Sequence, residues 1–380
     1  MKTTGAGTTT GAGTTPSRDK SKAAKLPPAV VLAAINRIRE ALDRLHKRAA
    51  PGHIALLEIA LGAWFTSALY AAVRLGIPDR LADGPRRADD IARDVGADPQ
   101  ATYRLLRALA SRSVLKLRRD GTFALTRLGR SMITDHPESM APMIAFVGSR
   151  VHREHWGELE HSVRTGGTAV AKLRGMEIFD YLDTDPEFAD LFNDAMTGGS
   201  HAVVENAIPA YDFGGRRLIV DVGGGQGGFL AAILDRAPGA KGVLFDRPSV
   251  VADAPAVLGR AAARCRVEAG SFFDTVPSGG DTYVLKAILH DWNDDASLAI
   301  LRNVRTAIAD DGRVLLFEMV LPERAPAHLG FLVDLEMLVS AGGRERTAAE
   351  YSNLLTQAGF RMTRVIATAS PLSIVEAVPV

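Results

Sequence analysis

Leu218–Val222 is an apolar run interrupted only by Asp221, and it breaks into Gly223-Gly224-Gly225-Gln226-Gly227-Gly228 before Phe229–Leu234 resume an apolar helical pattern. A strand, a glycine turn and a helix in that order form the first βα unit of a nucleotide-binding sheet. Glycine serves such a turn twice: it tolerates positive φ, and without a Cβ it lets the backbone approach a ligand closely. About twenty residues on, Asp246 closes a second apolar stretch, where a carboxylate accepts hydrogen bonds from a ribose diol. Its competing use is a helix cap ahead of Pro248-Ser249. A third apolar run, Tyr283–Leu285, leads through Lys286 to His290-Asp291-Trp292. Ligands of open α/β sheets bind at the carboxyl ends of strands. An imidazole placed there titrates in the range needed to take a proton near neutral pH, and acidic candidates lie downstream.

The glycine turn satisfies two spacings at once. Gly223, Gly225 and Gly228 fit the dinucleotide pattern G-x-G-x-x-G, whereas Gly223, Gly225 and Gly227 fit the methyl-donor pattern G-x-G-x-G. An acidic residue at Asp246 suits NAD and S-adenosylmethionine alike, so these residues leave the ligand open.

The elements that must position these groups follow from hydrophobic periodicity. Strands are expected at Leu218–Val222, Gly242–Phe245, Thr282–Leu285, Val314–Glu318, Met362–Thr368 and Ser373–Ala377, and a further one is entered at Cys265. A short link containing Pro371 joins the last two strands into an antiparallel hairpin that closes an otherwise parallel sheet, a departure from the parallel dinucleotide fold. The stretch 135–212 reads as helical. Towards the N-terminus, helices are expected over Val30–His46 and His53–Leu75. A short helix over Ala88–Val95 ends at Gly96, and Asp98-Pro99 starts the helix Gln100–Ser111. Val114–Leu117 and Thr122–Leu125 flank Asp120-Gly121 as a hairpin, which completes a winged helix-turn-helix pattern. Residues 1–28 are Thr/Gly/Ala-rich and carry too few apolar groups to fold. The domain expectation is a disordered tail over 1–28, a helical winged-helix unit over 29–134 and an α/β unit over 135–380.

Composition narrows the function classes. The 380 residues carry 45 basic and 44 acidic side chains, so no overall attraction draws the chain to nucleic acid or anionic membrane. A DNA-binding regulator remains a rival reading of the winged module through Arg104, Arg107 and Arg112. Asp89, Asp90, Asp94 and Asp98 oppose it. Ile54–Val73 has the length of a membrane span, but Glu58, Thr66 and Ser67 interrupt it, and burial in a core or against another subunit is the expectation. The lone Cys265 cannot form an intramolecular disulfide, no Cys/His cluster has metal-ligand spacing, and no secretory signal is visible, which together point to the cytoplasm.

Taken together, Asp221–Gly227, Asp246-Arg247-Pro248-Ser249-Val250, Leu289-His290-Asp291-Trp292, Glu318 ahead of Leu321-Pro322, and Gly342-Gly343-Arg344-Glu345-Arg346-Thr347 resemble the plant-type small-molecule O-methyltransferases of the caffeate and acetylserotonin class and their bacterial natural-product relatives. The resemblance runs from about Ala29 to the C-terminus. It implies a class I methyltransferase sheet with a Rossmann-like core, a helical dimerisation domain and a homodimer. It implies S-adenosylmethionine held by Asp221, Gly223, Gly225, Gly227, Asp246, Ser271, Phe272, Lys286 and Trp292. Ser271 stands where relatives often carry aspartate, and Arg247 where an apolar residue is usual. The implied reaction is methylation of a hydroxyl on an aromatic small molecule, without a metal. His290 is the general base, Glu318 and Glu345 flank it, and Glu345 orients the imidazole. Met196, Asp334 and Met337 fall where relatives line the acceptor pocket. Same-fold alternatives are N-methylation and hydroxylation.

Overall fold

The computed structural model describes residues 29–252, 254–324 and 327–380; the expected tail over 1–28 lies outside them. The chain begins with helices Ala29–Ala49, Gly52–Ala60 and Gly62–Arg74. The single helix expected over His53–Leu75 is therefore interrupted, at Leu61, where glycine follows and weakens the helix interior. Its second half packs into this chain's core, with Ala72 fully buried and Phe65, Leu69 and Val73 against the same cluster, whereas its first half does not. Ile54, Leu56, Leu57, Ile59 and Trp64 are all exposed, Trp64 by 74 %. By length and composition alone, Gly52–Arg74 is apolar enough to cross a membrane.

The next unit forms as its residues dictate. The helix Ala88–Val95 stops at Gly96, which turns left-handed at φ 66°. Asp98 caps the helix Pro99–Ser111 by accepting a hydrogen bond from the Ala101 amide at 2.7 Å. Strands β1 (Leu115–Leu117) and β2 (Phe123–Leu125) pair antiparallel across Asp120-Gly121. Ile91, Leu106, Leu109 and Phe123 fill a core beneath them.

A helical layer over 141–207 leads into the main sheet. Its strands are β3 (Leu218–Val222), β4 (Lys241–Asp246), β5 (Cys265–Ala269), β6 (Thr282–Lys286) and β7 (Arg313–Glu318). A two-residue pair follows, β8 (Val320–Leu321) with β9 (Arg346–Thr347), and the sheet is completed by β10 (Phe360–Ala367) and β11 (Ser373–Pro379). The spatial order is β10-β11-β7-β6-β3-β4-β5. The five strands from β7 to β5 run parallel, and β11 and β10 close the edge antiparallel, as Pro371 implied. After β5 the chain crosses back past β3 to place β6, so the switch point where ligands bind such sheets lies between β3 and its neighbours.

Alternation along the strands feeds two cores. Val220, Tyr283, Leu285 and Leu316 face one helical layer, while Ile219, Val284, Leu315 and Phe317 face the other. Phe317 is fully buried, with its ring centroid 4.9 Å from that of Phe229 in an edge-to-face contact. Phe317→Ala is expected to cost about 3–5 kcal/mol of stability through the cavity it leaves. Urea denaturation measures this, and a loss under about 1 kcal/mol would contradict the packing described.

Candidate active site

The turn after β3 adopts the conformation only glycine takes readily: Gly223, Gly225 and Gly227 have φ of 69°, 61° and 90°. The Gly223 amide donates to the Phe245 carbonyl at 2.8 Å, which docks the turn onto the end of β4. A Cβ at Gly225 would meet nothing within 4 Å, so the turn faces open space there. Beside it, Asp246 accepts hydrogen bonds from the Gly225 and Arg247 amides at 2.8 and 2.7 Å. Asp246 therefore braces the turn and is no helix cap; the helix Pro248–Val251 has Arg247 at its start and no side-chain cap. Asp221 lies below, against Gly224, fully buried with both carboxylate oxygens lacking a hydrogen-bond partner. Burial pushes its carboxyl up to about 7, opposed by the charge of Lys286. Lys286, at the end of β6, is itself desolvated, which lowers its ammonium below the usual lysine range.

One side of this opening is aromatic. Trp292 stacks on Phe179 at 5.6 Å and meets Phe272 and Phe273 edge-on at 6.0 and 4.7 Å. Asn303 fixes the Phe272 and Phe273 carbonyls, each at 2.9 Å. The Ser271 hydroxyl accepts from the Phe273 amide at 3.2 Å and so stabilises this same turn. A glycine cradle, a carboxylate at the diol position and an aromatic wall fit a nucleoside-bearing cofactor such as S-adenosylmethionine.

His290 sits on a short turn, Leu289–Asp291, beyond β6. Ala287 takes a left-handed φ of 53° where the chain leaves the strand. Glu318, at the end of β7, accepts from the Ile288 and Leu289 amides at 3.1 and 2.8 Å, so it holds the backbone of the histidine turn. Glu345 holds the ring: its Oε1 is 2.9 Å from His290 Nδ1. Both glutamates are buried, which rules out surface solvation, and neither flanking arginine pairs with Glu345. Arg344 pairs with Glu350 and Arg346 with Asp294. His290 Nε2 is 3.5 Å from Asp291 Oδ1. Burial disfavours the imidazolium, but Asp291, the Glu345 hydrogen bond and Glu318 outweigh it and push His290 up to about 10. Burial likewise lifts the Glu318 carboxyl to about 7.

Of the expected acceptor-side residues, Asp334 joins the cluster, accepting the Glu345 amide at 2.8 Å. It lines a cleft of about 570 Å³ with Phe331, Leu335, Leu338 and Glu345. Met337 is buried on the same helix, Gly330–Ser340, and Met196 is 40 % exposed on the helix Pro186–Ala207; neither lines that cleft. Two further groups take roles that no local sequence signal shows, Glu336 and the Gly343 of the Gly342–Thr347 motif. Glu336 accepts from His152, Trp156 and Ser340 at 3.0, 2.5 and 2.6 Å and ties the helical layer to the helix that carries Asp334. Gly343 permits the contact between Glu345 and His290, because a Cβ there would overlap the His290 carbonyl oxygen. His290, Glu318 and Glu345 place ligand atoms within 4.8 Å of one another, but the imidazole Nδ1 and one oxygen of each glutamate are already engaged.

Two family profiles match the chain: an O-methyltransferase domain over residues 156–361 and an O-methyltransferase dimerisation domain over 57–135. The phenazine O-methyltransferase PhzM of Lysobacter antibioticus is 40% identical over 334 residues, covering 87% of this chain and 98% of that protein. The O-demethylpuromycin-O-methyltransferase of Streptomyces alboniger is 41% identical over 336 residues, 86% of this chain and 89% of that protein. Among solved structures, an O-methyltransferase from neocarzinostatin biosynthesis, NcsB1, in complex with S-adenosylmethionine and 2-hydroxy-5-methyl naphthoic acid superposes with a TM-score of 0.71. It is 33% identical over 83% of this chain and 96% of its own. The chain belongs to the O-methyltransferase family and is an S-adenosylmethionine-dependent enzyme.

The His290 environment yields a signed expectation. A histidine raised from 6.5 to about 10 adds stability that is fully present below pH 6.5 and lost as pH rises through about 10. Glu345→Gln removes a charge and a hydrogen bond that favour the imidazolium, so the His290 midpoint is expected to fall. ¹⁵N NMR titration of the imidazole reads it directly. An unmoved midpoint would show that Glu345 does not hold the ring.

Proposed function

We propose that this O-methyltransferase methylates a hydroxyl of an aromatic small molecule, phenolic or polyketide-like, with His290 as the general base. The observation that carries this reading is the buried His290–Glu345 hydrogen bond of 2.9 Å at the carboxyl end of the sheet, beside the glycine turn. Glu345 fixes the ring through Nδ1 and leaves Nε2 for the acceptor hydroxyl, the division of labour a carboxylate performs in a catalytic triad. A phenol, with pKa about 10 by analogy with tyrosine, is mostly neutral at pH 7 and needs its proton removed. S-Adenosylmethionine supplies an activated methyl on a sulfonium, whose positive charge disfavours the imidazolium that the site otherwise holds at neutral pH and so favours the neutral ring that a base requires. Asp246 receives the ribose hydroxyls, Gly223, Gly225 and Gly227 form the floor, Ser271, Phe272 and Trp292 line the adenine side, and Asp221 and Lys286 support the turn from below. Met196, Asp334 and Met337 contribute to the acceptor side.

His290 Nδ1 and one oxygen each of Glu318 and Glu345 are spent on one another and on backbone amides, and the metal-independent reaction proposed here rests on His290, rather than a metal ion, taking the acceptor proton. Residues 29–134 form the dimerisation domain with a winged-helix module, and 135–380 form the catalytic domain. The exposed apolar side chains over 54–64 support a homodimer in which they meet the partner subunit. The lone Cys265 supports a cytoplasmic setting.

His290→Ala is expected to lower kcat by about 10²–10⁴-fold, the usual contribution of general-base catalysis. S-Adenosylhomocysteine affinity stays within about twofold, since the cofactor wall is left intact. Wild-type turnover by the folded variant, with labelled methyl donor and a phenolic acceptor, would remove His290 from the chemistry. Chelators are expected to leave the rate unchanged, and a loss restored by added divalent ions would contradict the metal-independent reading. The His290 midpoint is expected to lie lower with S-adenosylmethionine bound than with the uncharged S-adenosylhomocysteine, as read by ¹⁵N NMR. Equal midpoints would show that the base does not sense the methyl donor's charge.

A further inference from the structure

Arg346 is among the largest fully buried side chains among the described residues, at 0 % exposure. Burying a guanidinium is costly unless every donor finds a partner. Here Nη1 donates to the Leu289 and Arg344 carbonyls at 2.8 and 3.3 Å. Nη2 donates to the Trp292 carbonyl and to Asp294 Oδ1 at 2.8 Å each, and to Ser297 Oγ at 3.2 Å. Nε donates to Asp294 Oδ1 at 3.0 Å. Asp294 is about half exposed and supplies the countercharge.

The two carbonyls held by the fork bracket one turn. Leu289 immediately precedes His290, and Trp292 is the aromatic wall of the cofactor opening. On the same short segment, Glu345 grips the imidazole and the Arg344 amide donates to the His290 carbonyl at 2.8 Å. Consecutive residues therefore hold the side chain and the backbone of the same turn. We propose that Arg346 is a positioning residue that sets the His290 imidazole and the Trp292 indole together, so that the base and the cofactor wall are aligned by one guanidinium. Its kinetic consequence rests on the O-methylation reading above. A lysine carries the charge but not the planar fork, and one ammonium cannot serve both carbonyls with the same geometry.

The test is Arg346→Lys, read in three ways. S-Adenosylhomocysteine affinity by calorimetry and kcat are each expected to fall about tenfold, the weight of one hydrogen bond to a charged group. The His290 midpoint by ¹⁵N NMR is expected to move down as the ring loses its fixed place against Glu345. A folded lysine variant with wild-type affinity and a wild-type midpoint overturns the proposal and leaves Arg346 a packing role. Where the lysine variant does not fold, the same readouts are taken on Asp294→Ala, which strips the exposed countercharge and keeps the arginine. Weakened affinity with a lowered midpoint supports the grip, and wild-type values overturn it. Affinity and midpoint involve no methyl transfer. A wild-type enzyme that methylates no hydroxyl would therefore sink the O-methylation reading and leave the Arg346 result standing.

Discussion

The site depends on one close approach. The segment Gly343–Arg346 runs so near the turn after β6 that a single methyl group at Gly343 would overlap the His290 carbonyl oxygen. Because Gly343 lacks that methyl, the Arg344 amide reaches the His290 carbonyl, Glu345 reaches its ring, and Arg346 reaches the carbonyls on either side. From the other side, Glu318 holds the Ile288 and Leu289 amides. Backbone groups of a tight turn that would otherwise be buried unpaired are thus satisfied by two charged side chains, Glu318 and Arg346, and by the Arg344 amide.

The same arrangement sets the electrostatics. Asp291, Glu318 and Glu345 surround one imidazole in a place with little water, and Glu318 and Glu345 each leave one oxygen without a partner. Negative charges this close hold the proton on His290, while Glu318 is lifted first by its own burial and then by the neighbouring Glu345. Such a cluster is matched to a cation arriving from the direction of the glycine turn. Asp221, equally buried beneath that turn, is held up at about 7 by its burial and is opposed by the neighbouring Lys286. The dimerisation-domain match covers residues 57–135, the helices and hairpin on which the DNA-binding reading of the N-terminal module rests.

Much of this was legible before the fold was seen, wherever the signal was local. Glycines at 223, 225 and 227 announce a turn because positive φ is a property of single residues, and β3 was bounded correctly by its apolar run. Asp98-Pro99 and Gly96 marked helix ends for the same reason. What escaped the sequence was set by partners far along the chain. Nothing local says that Arg346 is buried, that Glu318 holds amides as well as standing beside the imidazole, or that Glu336 joins His152 and Trp156. The break at Leu61 in the helical segment over 53–75 has no local signal beyond the single Gly62, which its apolar composition outweighs. The edge strand β5 was noted only at its start, since its half-exposed residues carry no continuous apolar run.

The proposed chemistry has His290 Nε2 remove the proton of the acceptor hydroxyl while Glu345 holds the ring. A crystal structure with S-adenosylhomocysteine and an aromatic acceptor that the enzyme methylates tests it most directly. The reacting oxygen is expected within hydrogen-bonding reach of Nε2, about 2.6–3.2 Å, with the Glu345 contact to Nδ1 retained. An acceptor bound with its hydroxyl turned away from His290, or an imidazole released from Glu345, would contradict it.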